Sequence, residues 1–113
     1  MKMARLEDMI GGWFVGNFEP SILASSVAEV CVKSYETGER EEEHYQREAC
    51  EVTCIVSGRV LLAGVELVAG DIMLIEPGES ASFEALEPST LVAFKTPSVP
   101  EDKVVGGGEV RLV

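Results

Sequence analysis

Three side chains near the middle of the chain have the right types to hold a metal ion: His44, Gln46 and Glu51. Residues 41–47 are predicted to be extended, and alternate residues of a strand share a face, so His44 and Gln46 point to the same side. An imidazole nitrogen and a carboxylate oxygen are effective metal ligands, whereas the amide oxygen of Gln46 is neutral and weaker. These types predict a site that holds Zn, Fe or Ni loosely, and Gln46 is alternatively a hydrogen-bonding residue that lines a cavity.

Glycines and a proline stand at regular distances from these residues. In chain order the pattern is Gly38, His44, Gln46, Glu51, Gly58, Gly70, Asp71, Pro77 and Gly78. Its spacing resembles the two-part motif of the cupin family over roughly residues 28–96. The first part differs from that motif only at Gln46, where cupins have a second histidine. In the second part Ala81 stands where the last histidine would be.

The resemblance implies both a fold and a metal site. Cupins close two small sheets into a barrel and bind a metal near its middle, usually through three histidines and one glutamate. The chain is therefore expected to be all-β, a single cupin β-barrel (double-stranded β-helix or jelly roll). The resemblance implies His44, Gln46 and Glu51 as ligands of a divalent metal (Mn, Fe, Ni or Zn), bound weakly or not at all because Ala81 supplies no ligand. Weaker candidates for the missing ligand are Glu79, Ser82 and Glu84.

Short segments separated by turns predict the strands of a sandwich or barrel. We expect strands at residues 28–35, 41–47, 51–57, 60–62, 65–68, 72–75 and 91–96, a single helical turn at 6–10, and a candidate terminal strand at 109–113. On the strand 51–57, Glu51, Thr53 and Ile55 share one face. The continuous apolar run 72–75 predicts a strand that is covered on both faces.

At 113 residues the chain is long enough for one domain. We divide it into an N-terminal arm at residues 1–27, a cupin barrel at 28–100 and a C-terminal tail at 101–113. The arm contains three aromatic residues, Trp13, Phe14 and Phe18. They are expected to pack the open end of the barrel or a subunit interface, or alternatively to cover a bound ligand. Because small cupins of this kind commonly dimerise, we expect a homodimer in which the arm packs between subunits.

The net charge of −11 restricts the possible partners. Phosphate binding needs clustered Lys and Arg, so neither nucleic acid nor an anionic membrane is expected as a partner. No stretch approaches the roughly 18 apolar residues that span a bilayer. Cys50 and Cys54 lie four positions apart in a predicted strand, about 13 Å and too far for a disulfide. With Cys31, they are expected to be reduced thiols of a cytoplasmic protein.

Two functions follow directly from this pattern. The first is a small-molecule-binding cupin for a sugar or a carboxylate, with weak or degenerate divalent-metal binding. The second is a metal-dependent isomerase, epimerase or dioxygenase that uses His44, Gln46 and Glu51 as ligands. Because the fold hosts many reactions, the resemblance selects no specific activity.

Two further functions remain open. In a non-catalytic structural or interaction module the barrel would be filled, with Ile55, Met73 and Phe83 occluding it. In a metal-free sugar epimerase of this fold, a histidine acts as base and a tyrosine as acid. His44 is the only histidine of the chain, and the candidate acids are Tyr35 and Tyr45.

Overall fold

The structure, a computed structural model, describes residues 1–107. Two short 3-10 helices, Leu6–Asp8 and Ile10–Gly12, begin this part of the chain. The strands that follow are β1 (Trp13–Gly16), β2 (Leu23–Ala24), β3 (Glu29–Tyr35), β4 (Arg40–Gln46), β5 (Cys50–Ser57), β6 (Arg59–Leu62), β7 (Val65–Val68), β8 (Ile72–Ile75), β9 (Ala81–Ala85), β10 (Ser89–Thr96) and β11 (Lys103–Val105). The candidate strand at 109–113 lies outside the described residues.

The strands form two sheets that face each other. The first sheet has the order β2-β1-β3-β10-β5-β8, and the second has the order β11-β4-β9-β6-β7. From β3 onward the chain alternates between the two sheets, interrupted only by the β6–β7 hairpin, which stays in the second. Such alternation winds the chain around the core, as in a double-stranded β-helix, so the expected all-β barrel is confirmed.

Alternation along the strands directs every second side chain into the space between the sheets. The buried apolar core contains Cys31, Ile55, Val60, Leu62, Leu67, Ala81, Phe83, Ala85, Leu91 and Ala93. Members of this core come from both sheets, and Ile55 and Val60 are fully enclosed. The expected face of β5 is also observed, because Glu51, Thr53 and Ile55 all lie on its inner side.

Four strands were not anticipated from the sequence: β1, β2, β9 and β11. Three of them lie in the predicted arm and tail, where β1 pairs with β2 and β3, and β11 pairs with β4. The helical turn expected at residues 6–10 appears as the two 3-10 helices. All three cysteines are free thiols, and burial raises the pKa of Cys31 to about 11. Among the described residues, no helix has the length and apolarity to cross a membrane.

One expectation about β8 is wrong. Its apolar run predicted a strand covered on both faces, but Ile72 is 68% exposed and Leu74 is 56% exposed. The strand lies at the edge of the first sheet, and the barrel covers only its inner face, where Met73 and Ile75 pack against the core. An apolar outer face therefore remains open to solvent in a single copy of the chain.

Candidate functional site

A cavity of about 120 Å³ lies between the two sheets. Its lining residues are Trp13, Cys31, Lys33, Tyr35, Glu41, His44, Gln46, Glu51, Thr53, Leu62, Ile75, Ala81, Phe83, Leu91, Ala93, Lys95 and Lys103. His44 and Gln46 reach it from β4 and Glu51 from β5, so the fold brings the three predicted ligands to one cavity. Whether they hold a metal stays a prediction.

His44 is half-buried and held in one orientation by its own strand. Its Nδ1 lies 2.9 Å from the carbonyl oxygen of Glu42. Because a carbonyl oxygen only accepts hydrogen bonds, Nδ1 carries the proton of the neutral ring, and in that form Nε2 has a lone pair. A backbone hydrogen bond of this kind is common behind metal-binding histidines, since it fixes the tautomer and the ring orientation. His44 is therefore prepared to accept a metal ion or a ligand proton donor at Nε2.

Ala81 lies directly opposite His44 in the antiparallel pair of β4 and β9, and its methyl group is buried. The position of the missing fourth ligand is therefore occupied by an apolar side chain. The three weaker candidates for that ligand do not line the cavity. The carboxylate of Glu79 accepts a hydrogen bond from the backbone of Glu76, Glu84 pairs with Arg40 at 3.2 Å, and Ser82 is exposed.

The remaining donors do not fit a tightly held transition metal. Within residues 1–107, no three or more His, Cys, Asp and Glu side chains lie close enough together to hold an ion. Of the strong donors at the cavity, Glu41 is engaged by Tyr35 and Lys33, which leaves His44 and Glu51, and Gln46 adds only a neutral oxygen. No chemical step is therefore assigned to a metal in this chain.

Glu51 is half-buried at the cavity wall. A nearby arginine would neutralise an inward glutamate, and Arg47 and Arg59 are the arginines nearest to Glu51 in the sequence. In the structure Arg59 instead pairs with Glu66 at 2.6 Å. In the part of the chain that the structure describes, the carboxylate of Glu51 has no basic nitrogen within 4.0 Å. Its oxygens are available to a ligand.

The cavity is also lined by three lysines that the motif did not indicate: Lys33, Lys95 and Lys103. The ammonium groups of Lys33 and Lys95 lie 5.4 and 4.7 Å from the centroid of the Trp13 ring. The sequence did contain a signal for two of them. Lys33 lies two positions after Cys31 on β3, and Lys95 lies two positions after Ala93 on β10. Each lysine therefore shares the inward face of its strand with an apolar core residue.

Tyr35 and Glu41 form a hydrogen-bonded pair in the cavity wall. The Tyr35 hydroxyl donates to Glu41 Oε2 at 2.9 Å, and Lys33 Nζ lies 3.7 Å from the other carboxylate oxygen. Burial and the neighbouring Glu41 raise the pKa of Tyr35 well above its ordinary value. Burial alone would raise the pKa of Glu41, but Lys33, the Tyr35 hydrogen bond and the charge of Lys103 together lower it. Glu41 is thus a carboxylate and Tyr35 a neutral hydrogen-bond donor.

These positions bear on the alternatives left open by the sequence. Of the two candidate acids of the metal-free epimerase, Tyr35 lines the cavity and Tyr45 does not. Of the three residues expected to occlude a filled barrel, only Phe83 contacts the cavity, which remains open. An open cavity lined by His44, Gln46 and Glu51 is evidence against the filled structural module. Trp13 reaches the cavity from the predicted arm, whereas Phe14 and Phe18 do not.

Comparison with known proteins gives a fold but no close relative. No family model matches the chain, and no curated protein matches it. Among solved structures, an uncharacterized conserved protein with a double-stranded beta-helix domain from Klebsiella pneumoniae aligns with a TM-score of 0.69 at 17% identity, covering 96% of this chain and 93% of that one.

Two further structures have related shapes and named activities. A sugar phosphate isomerase from a cupin superfamily, from Silicibacter pomeroyi, aligns with a TM-score of 0.59 at 22% identity, covering 63% of this chain and 51% of its own. A bacterial pirin from Escherichia coli, solved in complex with nickel(II), aligns with a TM-score of 0.64 at 20% identity over 77% of this chain and 39% of its own. At these identities the likeness shows a shared fold and not a shared activity.

Proposed function

We propose that this chain, which has the double-stranded β-helix fold of the cupins, binds a small organic molecule in its barrel, a sugar or a carboxylate, and binds a divalent metal weakly or not at all. One observation carries the proposal. The cavity keeps its inward polar side chains, His44, Gln46 and Glu51, while the fourth ligand position is the methyl group of Ala81. The cavity therefore has a polar lining without a full set of metal ligands.

The size and chemistry of the cavity support a small ligand. Its volume of about 120 Å³ is close to the roughly 150 Å³ of an engineered cavity that holds benzene. A molecule of a few carbon atoms, or one end of a sugar, fits this space. Its hydroxyl groups could donate to His44 Nε2 or Glu51 and exchange hydrogen bonds with Gln46 and Thr53, which also line the wall.

A thermal-shift screen tests this function. A ligand that binds only the native state raises the melting temperature, and at a concentration of 100 Kd it stabilises the protein by about 2.7 kcal/mol. We expect at least one sugar or small carboxylate to give a shift that falls in Glu51→Gln. The matched control is Glu66→Gln, which makes the same change on β7 outside the cavity. A panel without any shift, or equal shifts in both variants, would contradict the proposal.

A metal-dependent isomerase, epimerase or dioxygenase is the second candidate. It is favoured by the free Nε2 of His44 and the unpaired carboxylate of Glu51 at one cavity, with Gln46 as a third donor. The nickel in the pirin shows that one protein with a similar fold was solved with a metal. This candidate requires that the three side chains hold an ion despite the donor set described above.

Elemental analysis separates the two candidates. The untagged protein and His44→Ala are loaded with Mn, Fe, Ni or Zn, desalted and measured by ICP-MS. Near-stoichiometric metal that disappears in His44→Ala would make the metal-dependent enzyme the leading function. Metal absent from both proteins would remove that candidate and leave organic ligands, which the thermal-shift screen examines directly.

A further inference from the structure

We propose that the ligand of the cavity is an acid and that the ammonium groups of Lys33, Lys95 and Lys103 bind its carboxylate. This inference rests on the proposed function and names the class of molecule that the site takes. It follows from the placement of charge in the fold. The chain has 20 acidic and 9 basic residues, yet three of its four lysines line this cavity. The fourth, Lys2, is exposed in the N-terminal segment.

Lys33 and Lys95 are largely buried, and their burial opposes folding unless something compensates for it. Removing a charge from water is unfavourable unless the charge is paired. The side chain of Lys95 is only 12% exposed, and its single carboxylate partner within 4.0 Å among the described residues is Glu29, at 3.0 Å. Glu29 also accepts a hydrogen bond from Ser98 at 2.6 Å, so its negative charge is shared between two donors.

The other two ammonium groups have more capacity for a ligand. Lys33 lies at the long distance of 3.7 Å from Glu41, and Lys103 has no carboxylate within 4.0 Å among the residues described. The ammonium groups of Lys33 and Lys95 both lie near one indole ring, 5.4 and 4.7 Å from its centroid, and these two like charges repel each other. An anionic group bound beside Trp13 would relieve this repulsion, and lysine is a suitable point charge for it.

The same charges disfavour a metal ion and favour an anion. The cavity lining has three ammonium groups against the two carboxylates of Glu41 and Glu51, so its excess charge is positive and disfavours a divalent cation. A carboxylate is attracted by the ammonium groups. Its hydroxyl-bearing carbons could then face Glu51 and Gln46 on the neighbouring wall. A hydroxy acid therefore matches both halves of the lining.

Matched pairs of an acid and its neutral counterpart test the inference. We would titrate glycerate against glycerol, and glucuronate against glucose, by isothermal titration calorimetry. We expect the acid of at least one pair to bind and its neutral counterpart to bind at least about tenfold more weakly, since each hydrogen bond to a charged group contributes about 1.5 kcal/mol or more. Lys33→Met and Lys95→Met should each weaken acid binding by about the same factor.

The control is Lys2→Met, which removes the one lysine outside the cavity and leaves acid binding unchanged. Equal affinity for acid and neutral compound, or equal loss in Lys2→Met and the cavity variants, would overturn the acid inference while the proposed function stands. Binding of no compound in either class would contradict both. If Lys95→Met does not fold because Glu29 is left unpaired, the more exposed Lys103→Met gives the same comparison.

A second, independent inference concerns the outer face of the first sheet. We infer that this face is the contact between two copies of the chain. Strand register aligns its outward side chains in two rows across β8, β5, β10 and β3. The rows are Leu74, Val52, Phe94 and Val30, and beside them Ile72, Cys54, Val92 and Val32. Neither row contains a charged residue.

Such a face is unusual in a chain of this charge. A quarter of all residues are charged, yet Ile72 and Leu74 are more than half exposed, and Phe94 is 38% exposed. Contiguous exposed apolar patches in soluble proteins usually mark a contact surface. Ser34 and Thr90, hydrogen-bonded to each other at 3.1 Å, lie next to the rows at one end and supply a polar rim.

Charge favours a second copy as the occupant. Two chains of net charge −11 repel each other wherever their acidic surfaces meet. The two rows are the part of the first sheet where copies can approach without bringing like charges into contact. A two-fold axis through this face would pack each row against its equivalent.

The area indicates that the N-terminal segment takes part. The two rows span four strands about 4.8 Å apart and about four residues of length along each strand. They therefore cover only roughly 270 Å². A stable interface buries about 800 Å² on each partner. Exposed apolar side chains of the segment, Leu6 and Ile10, could add to the contact, because Leu6 packs in a shallow pocket with Phe14 of β1, the next strand of the same sheet. This retains the homodimer expected from the sequence but moves its centre from the arm to the sheet.

Light scattering coupled to size exclusion tests the contact. We expect the protein to have a mass of about 24 kDa, twice the 12.2 kDa of one chain, and Leu74→Lys to have the mass of a monomer. The control Val65→Lys makes the same charge change at a valine of the second sheet that is 48% exposed, and should remain dimeric. Lysine lowers the net negative charge, so dissociation cannot come from added acidic repulsion.

Two results would overturn this inference: a monomer mass for the unaltered protein, or a dimer that survives Leu74→Lys. If that variant does not fold, alkylation of Cys54 in the unaltered protein replaces it, because Cys54 lies in the middle of the face. Its alkylation rate should fall as protein concentration rises and the face becomes covered. An alkylation rate of Cys54 that does not depend on protein concentration would exclude this face as the contact between two copies.

Discussion

The carboxylate of Asp102 binds two backbone N–H groups at once. Its Oδ1 accepts from Glu48 and its Oδ2 from Ala49, each at 2.9 Å, in a buried position. Both donors belong to the turn between β4 and β5, and Asp102 immediately precedes β11 and Lys103. A single side chain therefore ties the end of the described chain to the strands that carry His44 and Glu51.

Loss of this carboxylate should lower the free energy of unfolding. In Asp102→Ala two N–H groups lose their acceptor, that of buried Ala49 and that of the more exposed Glu48, and an unsatisfied buried group costs about 1–3 kcal/mol. We expect the free energy of unfolding to fall by about 3 kcal/mol in urea denaturation. Asp71→Ala is the control, because Asp71 also accepts a backbone hydrogen bond but at the exposed residue Val68. An equal loss in the two variants would contradict the role assigned to burial.

Tyr35 should link stability to alkaline pH. Its folded-state pKa is raised, first by burial and then by the charge and hydrogen bond of Glu41, with Cys31 and Glu51 adding to the effect. A group with a raised pKa contributes stability that is present below its ordinary pKa, near 10, and is lost as the pH rises above it. The unfolded chain then releases the phenolic proton that the native chain retains.

We therefore expect one tyrosine to ionise only as the fold is lost. In an absorbance titration at the tyrosinate band, part of the change should coincide with the loss of β-sheet circular dichroism. This late component should disappear in Tyr35→Phe and remain in Tyr45→Phe. A late component that persists without Tyr35 would show that another group controls alkaline unfolding.

Between β5 and β6 the chain must turn within a single residue, Gly58. Its φ is +89°, a region that side chains rarely adopt, and a Cβ there would overlap the side chain of Ser89 and the carbonyl oxygen of Pro88. Gly38, between β3 and β4, has a similar φ of +87° but open space around it. Gly38 is therefore required only by its positive φ, whereas Gly58 is required by its positive φ and by the close approach of Pro88 and Ser89.

Alanine substitutions should separate these needs. Gly38→Ala adds only the strain of a positive φ, about 1 kcal/mol, to the native state. Gly58→Ala adds the same strain and a collision with backbone, so we expect a loss of about 3 kcal/mol or more. Denaturant midpoints of the two variants measure the difference. Similar midpoints would mean that the β5–β6 turn can move away from Ser89 at little cost.

At the scale of the whole molecule, the apolar core and the cavity occupy the same space between the two sheets. Ile55 is 1% exposed and belongs to the core between the sheets, on the same face of β5 as Glu51 and Thr53. Apolar packing therefore fills one part of the barrel while polar side chains keep another part open. The two regions are continuous along the inner face of β5.

Ile55→Ala tests this division. We expect it to lower the free energy of unfolding by about 2–5 kcal/mol, since a large side chain in an enclosed site leaves a cavity behind. Val65→Ala, at an exposed position on β7, should cost less than about 1 kcal/mol. Both variants are measured by thermal and denaturant unfolding. Equal losses of stability in Ile55→Ala and Val65→Ala would show that the core does not lie where the burial of Ile55 places it.

Most of the fold could be predicted from local patterns. Turn glycines, the Pro77-Gly78 pair and alternating segments identify most of the strands, because these features depend on neighbours within a few residues. β9 was missed because its sequence, Ala-Ser-Phe-Glu-Ala, has little strand propensity of its own and is extended by pairing with β4 and β6.

Strand alternation determined that His44 and Gln46 share one face of β4, and the resemblance of the motif added Glu51 to the same interior. Only the tertiary structure decided what else shares that interior. Lys33 on β3 is about sixty residues or more from Lys95 on β10 and Lys103 on β11, and which of them meet depends on the order of strands in the two sheets. Likewise the apolar outer rows exist only because register aligns residues from four strands, a long-range pairing that no local pattern encodes.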